Sequence, residues 1–170
     1  MDRYDVPIVR QTRLSDLGAV RELIHHTIDV SYHGFYPPRA IQFFKEFHSE
    51  TAILNRHRYG GILVAEKDGS LTGTGALMGA EILGVFVHPD FQRFGFGRNI
   101  MDALEQKAVS RGAGEIELSV SLPSRKFYET LGYDIIAGCT VDVGNGEQLN
   151  YWQARKLLRQ DIRKPGSEGR

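Results

Sequence analysis

Two short segments carry the residues whose types and spacing could do chemistry, and the first is a glycine-rich turn. Residues 92–98 read QRFGFGR, which gives the pattern Q-x-x-G-x-G. They stand directly after an apolar run at 82–87 and directly before a helical pattern at 99–109. A strand that turns through glycines into a helix presents unpaired backbone N–H groups and the positive end of the helix dipole. The turn is therefore typical of a phosphate or pyrophosphate site, although a tight connection without a ligand would read the same way.

The second segment, residues 121–133, combines hydroxyl side chains with aromatic ones. It reads SLPSRKFYETLGY, and its serine and tyrosine hydroxyls can donate protons or hydrogen bonds. Two other phosphate-binding patterns are excluded. No Gly-Lys pair exists in the chain, so there is no P-loop. The glycines at 73–79 are wrongly spaced for a dinucleotide fingerprint and precede a strand, so we interpret them as strand kinks or a bulge.

The elements that must position these segments form a mixed α/β pattern. We expect Ser15 to cap the first helix, and short turns should make the three strands that follow the second helix an antiparallel meander. A helical crossover should then place the next strand parallel to that meander. The predicted elements are a strand at 7–11, helices at 17–28 and 40–48, strands at 62–66, 71–77 and 82–87, a helix at 99–109, a strand at 115–120, a helix at 124–131, and a hairpin of strands 133–143 and 148–154 around Asn145-Gly146.

Composition narrows the class of protein. The 170 residues suit one domain, which we expect at 1–158, with a polar and disordered tail at 159–170. Lys and Arg (21) balance Asp and Glu (21), so we expect neither nucleic-acid nor membrane binding. No stretch resembles a spanning helix or a signal peptide, and Cys139 is the only cysteine, so we expect a cytoplasmic protein. His25, His26 and His33 lack the spacing of a metal site, so no metal is expected.

Three groups of residues together resemble the GNAT superfamily of N-acetyltransferases. They are V-H-P at 87–89, Q-x-x-G-x-G at 92–97, and F-Y-x-x-L-G-Y at 127–133. The resemblance extends over about residues 8–158 and implies the α/β fold of that family, with a mixed sheet built from a meander, a crossover and a C-terminal hairpin. It also implies an acetyl-CoA-dependent N-acetyltransferase. The acceptor would be a primary amine of a small molecule or a peptide, and it would attack the donor directly.

The resemblance implies a position for acetyl-CoA, the acetyl donor. In the family, the strand before the turn splays from its neighbour and pairs with the pantetheine arm, and the turn holds the pyrophosphate. Arg93 and Arg98 either add charge there or are simply solvated. Ser121 stands where many members have an asparagine, which argues against the specificity of asparagine-containing protein N-terminal acetyltransferases. The implied cofactor-binding residues are Val85, Phe86, Val87, Gln92, Arg93, Phe94, Gly95, Phe96, Gly97, Arg98, Ser121 and Tyr128.

The resemblance also implies the catalytic groups. Tyr128 matches the tyrosine that members often use as the general acid, and a phenol can lend a proton to the departing thiolate. Glu81 matches the glutamate that histone-type members use as the general base, although many relatives use a water relay instead. Glu117 is a weaker candidate. A backbone N–H near Phe86 or Val87 should hold the oxyanion.

Three points stay open at this stage. The aromatic segment with Tyr32, His33, Phe35 and Tyr36 either forms a lid over the acceptor or packs under a loop. The alternative function is a catalytically inactive acyl-CoA-binding sensor or regulatory module, against which the complete turn and Tyr128 argue. The oligomeric state is also open between a monomer and a homodimer, although relatives are often dimers.

Overall fold

Seven strands form one mixed sheet in the structure, a computed structural model that describes residues 6–159. The strands are β1 (Ile8–Gln11), β2 (Ile62–Lys67), β3 (Ser70–Met78), β4 (Glu81–Val87), β5 (Glu115–Ser121), β6 (Asp134–Gly144) and β7 (Glu147–Leu157). The helices are α1 (Leu17–Ser31), α2 (Pro38–Phe47), α3 (Glu50–Arg58), α4 (Phe96–Ser110) and α5 (Arg125–Thr130). The order across the sheet is β1-β2-β3-β4-β5-β7-β6.

The strand pairing confirms the predicted α/β fold class. Strands β1 to β4 pair antiparallel in sequence order, β4 and β5 pair parallel, and β6 and β7 form a hairpin whose second strand pairs with β5. Asn145 (φ 56°) and Gly146 (φ 72°) both adopt positive φ in the hairpin turn. That combination is the type I′ geometry, which an Asn-Gly pair favours because its twist matches that of the strands.

Two apolar clusters pack on opposite faces of the sheet. Alternate residues of β2 show the division, since Ile62 and Val64 belong to the cluster that contains α1, whereas Leu63 and Ala65 belong to the cluster that contains α4. Successive side chains of a strand point to opposite faces. A strand covered on both sides must therefore be apolar throughout, which explains the unbroken apolar run in β2.

The N-terminal helices differ from the prediction in two ways. Ser15 does not cap α1, because residues 14–16 form a 3₁₀ turn and Asp16 occupies the N-cap position. Asp16 is instead held by Arg10, whose guanidinium lies 2.8 Å from its carboxylate. A third helix, α3, follows α2 after a break at His48, and Ser49 caps it by accepting a hydrogen bond from Ala52 N at 3.3 Å. Its weak apolar pattern concealed it in the sequence.

The glycines of β3 allow α4 to approach the sheet. A Cβ on Gly73 would lie 2.6 Å from Ile100 Cδ1, and one on Gly75 would lie 2.8 Å from Leu104 Cδ1. At both distances Ile100 or Leu104 would have to move before a larger residue could fit. Gly75 stands opposite a bulge whose extra residue lies in β4 and not among these glycines, and close helix packing is a further reason for the glycines.

No helix among residues 6–159 is long and apolar enough to cross a membrane. The division into a domain at 1–158 and a tail at 159–170 stays a prediction, and residues 160–170 of that tail lie outside the described residues.

Candidate functional site

Strands β4 and β5 separate soon after they meet. Their parallel pairing consists of Glu81 with Glu117 and Ile82 with Leu118, and beyond Ile82 the two strands have no paired residues. Neighbouring parallel strands normally continue their hydrogen bonds along the shared length. The separation therefore opens a gap in the middle of the sheet, at the end of β4 that leads into the glycine turn.

A bulge in β4 lies at this gap. Ala76 pairs with Leu83 and Thr74 pairs with Phe86, so Gly84 and Val85 together stand opposite one residue of β3. Gly84 has φ 56°, a left-handed conformation that glycine adopts most readily. A bulge of this kind redirects the backbone groups and side chains next to it. Here it redirects them beside the gap.

Two cavities lie at the gap. The aromatic cavity, about 310 Å³, is lined by α2, the start of β4 and the β6–β7 hairpin, and its lining includes Glu81, His48 and Tyr151. The turn cavity, about 480 Å³, is lined by the glycine turn, α1 and α5.

The two cavities share part of their walls. The residues that line both are Tyr32, Val85, Phe86, Ser124 and Tyr128. The cavities therefore meet at the β4–β5 gap, and Tyr128 of α5 lies at the junction.

The glycine turn forms one wall of the turn cavity. Arg93 (φ 66°) and Gly95 (φ 86°) are both left-handed, and α4 begins directly after them. The first helical backbone bond at this end runs from Asn99 N to Gly95 O at 3.1 Å. The N–H groups of residues 96–98 precede that bond and have no acceptor in the helix. With the helix dipole behind them, they make an anion site at this wall.

The residues predicted for the turn divide into two groups. Val85, Phe86, Val87, Gln92, Arg93, Gly95, Gly97 and Arg98 line the turn cavity. Phe94 and Phe96 do not, because the Phe94 side chain is exposed and Phe96 is buried in the protein.

The Gln92 side chain fixes the turn to the elements around it. It donates to Val87 O at 3.0 Å and to Ser31 Oγ at 3.3 Å, which ties the turn to the ends of β4 and α1. This is a structural role that its type and position in the sequence did not reveal.

Tyr128 is almost fully buried, at 7% exposure. Burial raises its pKa well above the ordinary value for a phenol, and the neighbouring Tyr32 acts in the same direction. A tyrosine in this position keeps its proton and acts as a hydrogen-bond donor to whatever lies at the junction. The raised pKa also makes the phenolate of Tyr128 more costly to form than the ordinary pKa of a phenol implies.

Hydroxyl groups surround the junction. Ser121 Oγ and Ser124 Oγ lie 2.7 Å apart, and both line the aromatic cavity. Burial raises the pKa of Tyr32 to about 12, and the Ser121 hydroxyl beside it acts in the opposite direction. Each of these neutral hydroxyls can donate one hydrogen bond and accept another, so they add no charge to the wall.

The two candidate glutamates are paired neighbours in the sheet, but they differ in their access to the cavities. Glu81, at the start of β4, lines the aromatic cavity with Tyr128, whereas Glu117 is exposed and lines neither cavity. Of the two, only Glu81 shares a cavity with the tyrosine.

A model of the acetyltransferase (GNAT) family matches residues 22–133, which is more than half of the chain. The chain belongs to the GNAT family of acetyltransferases. The match ends at Tyr133 and includes both the glycine turn and Tyr128. No curated protein sequence matches the chain.

Solved structures support the same assignment. The GCN5-related N-acetyltransferase from Rhodopseudomonas palustris is 26% identical, with a TM-score of 0.82 over 90% of this chain and 96% of its own. PaiA N-acetyltransferase from Thermoplasma acidophilum, solved with coenzyme A, is 20% identical, with a TM-score of 0.72 over 88% and 98%. YncA from Salmonella typhimurium, solved with acetyl-CoA, is 18% identical, with a TM-score of 0.65 over 95% and 98%. The last two likenesses show the GNAT fold.

The sequence did not reveal one polar residue in this GNAT domain, His48. It follows the last residue of α2, lines the aromatic cavity and is 4% exposed. Arg56 Nη1 donates to His48 Nδ1 at 2.8 Å, and Arg56 Nη2 donates to Phe47 O at 3.0 Å. Burial, Arg56 and the nearby His25 lower the pKa of His48 to about 3. His48 is therefore neutral at ordinary pH.

The Arg56 bond also fixes the tautomer of His48. Because Nδ1 accepts from a guanidinium, the neutral ring carries its proton on Nε2. No buried side-chain nitrogen or oxygen among the described residues lacks a hydrogen-bond partner. Nε2 has none among residues 6–159, so it must reach accessible space, and the cavity that His48 lines is the aromatic cavity. Only three-dimensional placement could have revealed this donor.

The aromatic segment after α1 divides between packing and lining. Tyr32 and Tyr36 are buried, and Tyr32 lines both cavities, whereas His33 and Phe35 are exposed and line neither. The Tyr36 hydroxyl accepts from Leu122 N at 2.8 Å and donates to Asn150 O at 2.9 Å. Among residues 6–159, no three His, Cys, Asp or Glu side chains lie close enough together to hold a metal ion.

Proposed function

We propose that this chain is an acetyl-CoA-dependent N-acetyltransferase that moves an acetyl group to a primary amine by direct attack. One observation carries the proposal: a cavity with an anion-binding wall and a second cavity with a carboxylate meet at Tyr128. A donor whose phosphates lie at the turn and an acceptor from the other side would meet there. A direct transfer needs both reactants at one point, since holding them in position removes much of the barrier.

The residues present fit acetyl-CoA, which supplies the acetyl group as a thioester. Free N–H groups at residues 96–98 suit the pyrophosphate, and Arg93 and Arg98 add positive charge at the same wall. Gly97 keeps that wall open, because a Cβ there would lie 3.0 Å from Phe127 Cζ. The unpaired edge of β4, at Val85, Phe86 and Val87, offers backbone groups to the pantetheine arm, and Ser121 offers a hydroxyl.

Tyr128 and Glu81 take the two proton transfers in the proposed reaction. Tyr128 donates its hydroxyl hydrogen toward the leaving sulfur, and burial keeps that hydrogen on the phenol until then. Glu81, or a water that it holds, accepts the proton that the amine loses. Backbone N–H groups beside the bulge are the candidates for stabilising negative charge on the thioester oxygen.

The test is release of free CoA thiol from acetyl-CoA in the presence of a panel of primary amines. Tyr128→Phe should lower kcat by about 100-fold or more with little change in acetyl-CoA affinity. Tyr133→Phe is the matched control, because its ring lies 5.8 Å from that of Tyr128 but lines neither cavity. Glu81→Gln should lower kcat most at low pH, where fewer amines are already neutral.

Two outcomes would reject the proposal. Full turnover by Tyr128→Phe would show that Tyr128 is not the general acid. Tight binding of acetyl-CoA without thiol release for any amine would favour the alternative function, an acyl-CoA-binding sensor or regulatory module, over an enzyme. The cytoplasmic location and a homodimer remain predictions, which fractionation and light scattering can test.

A further inference from the structure

The wall of the aromatic cavity is mainly apolar. Its lining includes the side chains of Phe43, Phe44, Phe47, Leu83, Val141 and Leu149. At about 310 Å³ the cavity lies at the small end of ligand pockets, which run from roughly 300 to 1,000 Å³. An acceptor that fills it must therefore be small and must bring an apolar group.

The cavity offers one ionised partner. Of the described residues that line it, Glu81 is the only acid and none is Lys or Arg. His48 is neutral, and the Arg56 guanidinium behind it donates to His48 and to Phe47 O and also interacts electrostatically with Glu81. A second ammonium group would find no carboxylate in this wall, and an unpaired buried charge is costly. The wall therefore suits an acceptor with a single positive charge.

Hydrogen bonds join helix α2 and the residues before it to the C-terminal hairpin on one side of the cavity. Arg39 N donates to Glu147 Oε2 at 2.7 Å, which joins the start of α2 to the start of β7. The Tyr36 hydroxyl joins the same region to Leu122 N and Asn150 O. These bonds hold α2 and the hairpin together, and both elements line the cavity, so a polypeptide acceptor would have to enter without separating them.

We infer that the aromatic cavity binds a small primary amine carried on one aromatic ring or branched alkyl group. The amine lies at Glu81, and the apolar group lies among Phe43, Phe44 and Phe47. This inference rests on the proposed function, because it names the acceptor class for the same site. Polyamines, aminoglycosides and peptide N-termini are the classes that it excludes.

The first test compares amines in the thiol-release assay. 2-Phenylethylamine and ethylamine differ only in the ring, so their ratio of kcat/KM measures the apolar wall. Burial of one phenyl ring should give a ratio of about fiftyfold. Spermidine, kanamycin and a peptide with a free N-terminus are the competing substrates. A ratio near one, or a higher kcat/KM for any of these three, would overturn the inference.

The second test uses a pair of phenylalanines with similar exposure. Phe47 lines the cavity and is 48% exposed, whereas Phe35 lines neither cavity and is 53% exposed. Phe47→Ala should raise KM for 2-phenylethylamine about tenfold and leave KM for ethylamine unchanged, and Phe35→Ala should change neither. Equal changes for the two amines would mean that Phe47 acts only on the structure, against the inference.

Calorimetric titration of 2-phenylethylamine into the protein with CoA separates this inference from the proposed function. Binding of 2-phenylethylamine that Phe47→Ala weakens, without turnover of any amine, would support the cavity assignment and reject the enzyme. Turnover of other amines without binding of 2-phenylethylamine would support the enzyme and reject the cavity assignment. Absence of both would reject the two together.

Discussion

Acid should destabilise this protein mainly through His48. The folded protein holds the pKa of His48 at about 3, whereas the unfolded chain has the ordinary value of 6.5. At pH values between these two pKa values, His48 binds a proton in the unfolded chain but not in the folded protein. The free energy of unfolding must therefore fall as the pH falls below 6.5, and the loss continues down to the folded-state pKa.

The size of the loss follows from the two pKa values. At pH 4.5 the unfolded His48 is two pH units below its pKa, and each unit corresponds to about 1.36 kcal/mol, so the loss is about 2.7 kcal/mol. At 4% exposure the side chain is little screened by solvent. Asp16 does not contribute at this pH, because Arg10 lowers its pKa to about 2 and its stabilisation is lost only below its ordinary value of 3.8.

The assay is urea unfolding at pH 7 and pH 4.5, followed by the fluorescence of Trp152, the only tryptophan. His48→Gln should start less stable at pH 7 but should lose about 2.7 kcal/mol less than the wild type on acidification. His33→Gln, at an exposed position, is the control and should behave like the wild type. NMR titration of the histidine rings should show His48 unprotonated at pH 4.5. An equal loss in His48→Gln, or a His48 resonance that titrates near pH 6.5, would refute the reasoning.

Two further substitutions test the walls of the site. Gly84→Ala should cost at least about 1 kcal/mol more than Gly69→Ala, because both positions have positive φ but only at Gly84 would the new Cβ meet a side chain, 2.8 Å from His48 Cε1. Equal losses on urea unfolding would mean that the His48 ring moves freely. Tyr36→Phe should cost about 1–3 kcal/mol, because it leaves the two backbone groups that it bridges without a partner. Tyr59→Phe, at a position that is 74% exposed, should change stability by less than about 0.5 kcal/mol, and a similar loss in both would contradict the bridge.

Local patterns predicted the fold well where they were strong. The meander, the crossover and the hairpin depend on short turns with glycine and asparagine, whose conformations are set within a few residues. The glycine turn was found for the same reason. Helix α3 was missed because its apolar pattern is weak, and the role of Ser15 was misjudged because a 3₁₀ turn places Asp16 at the helix start instead.

The acceptor side of the site could not be predicted in the same way. Phe47 and His48 are far from Tyr151 in the sequence, and their meeting depends on how α2 packs against the C-terminal hairpin. No spacing pattern records such a contact. The tautomer of His48 depends in addition on Arg56, which lies in the helix that the sequence did not reveal.

Burial of Tyr128 constrains the order of proton transfers in the proposed reaction. Its raised pKa makes the free phenolate costly, so the hydrogen given to the leaving sulfur must be replaced before the next acetyl-CoA reacts. Glu81 shares the aromatic cavity with Tyr128, and Ser121 and Ser124 line the wall between the strands. In the proposed reaction the proton that the amine releases returns to the tyrosine, and the Ser121 and Ser124 hydroxyls, 2.7 Å apart, are the candidates for relaying it. The neutral state of His48 favours entry of the amine, because a cation at this position would repel an ammonium group.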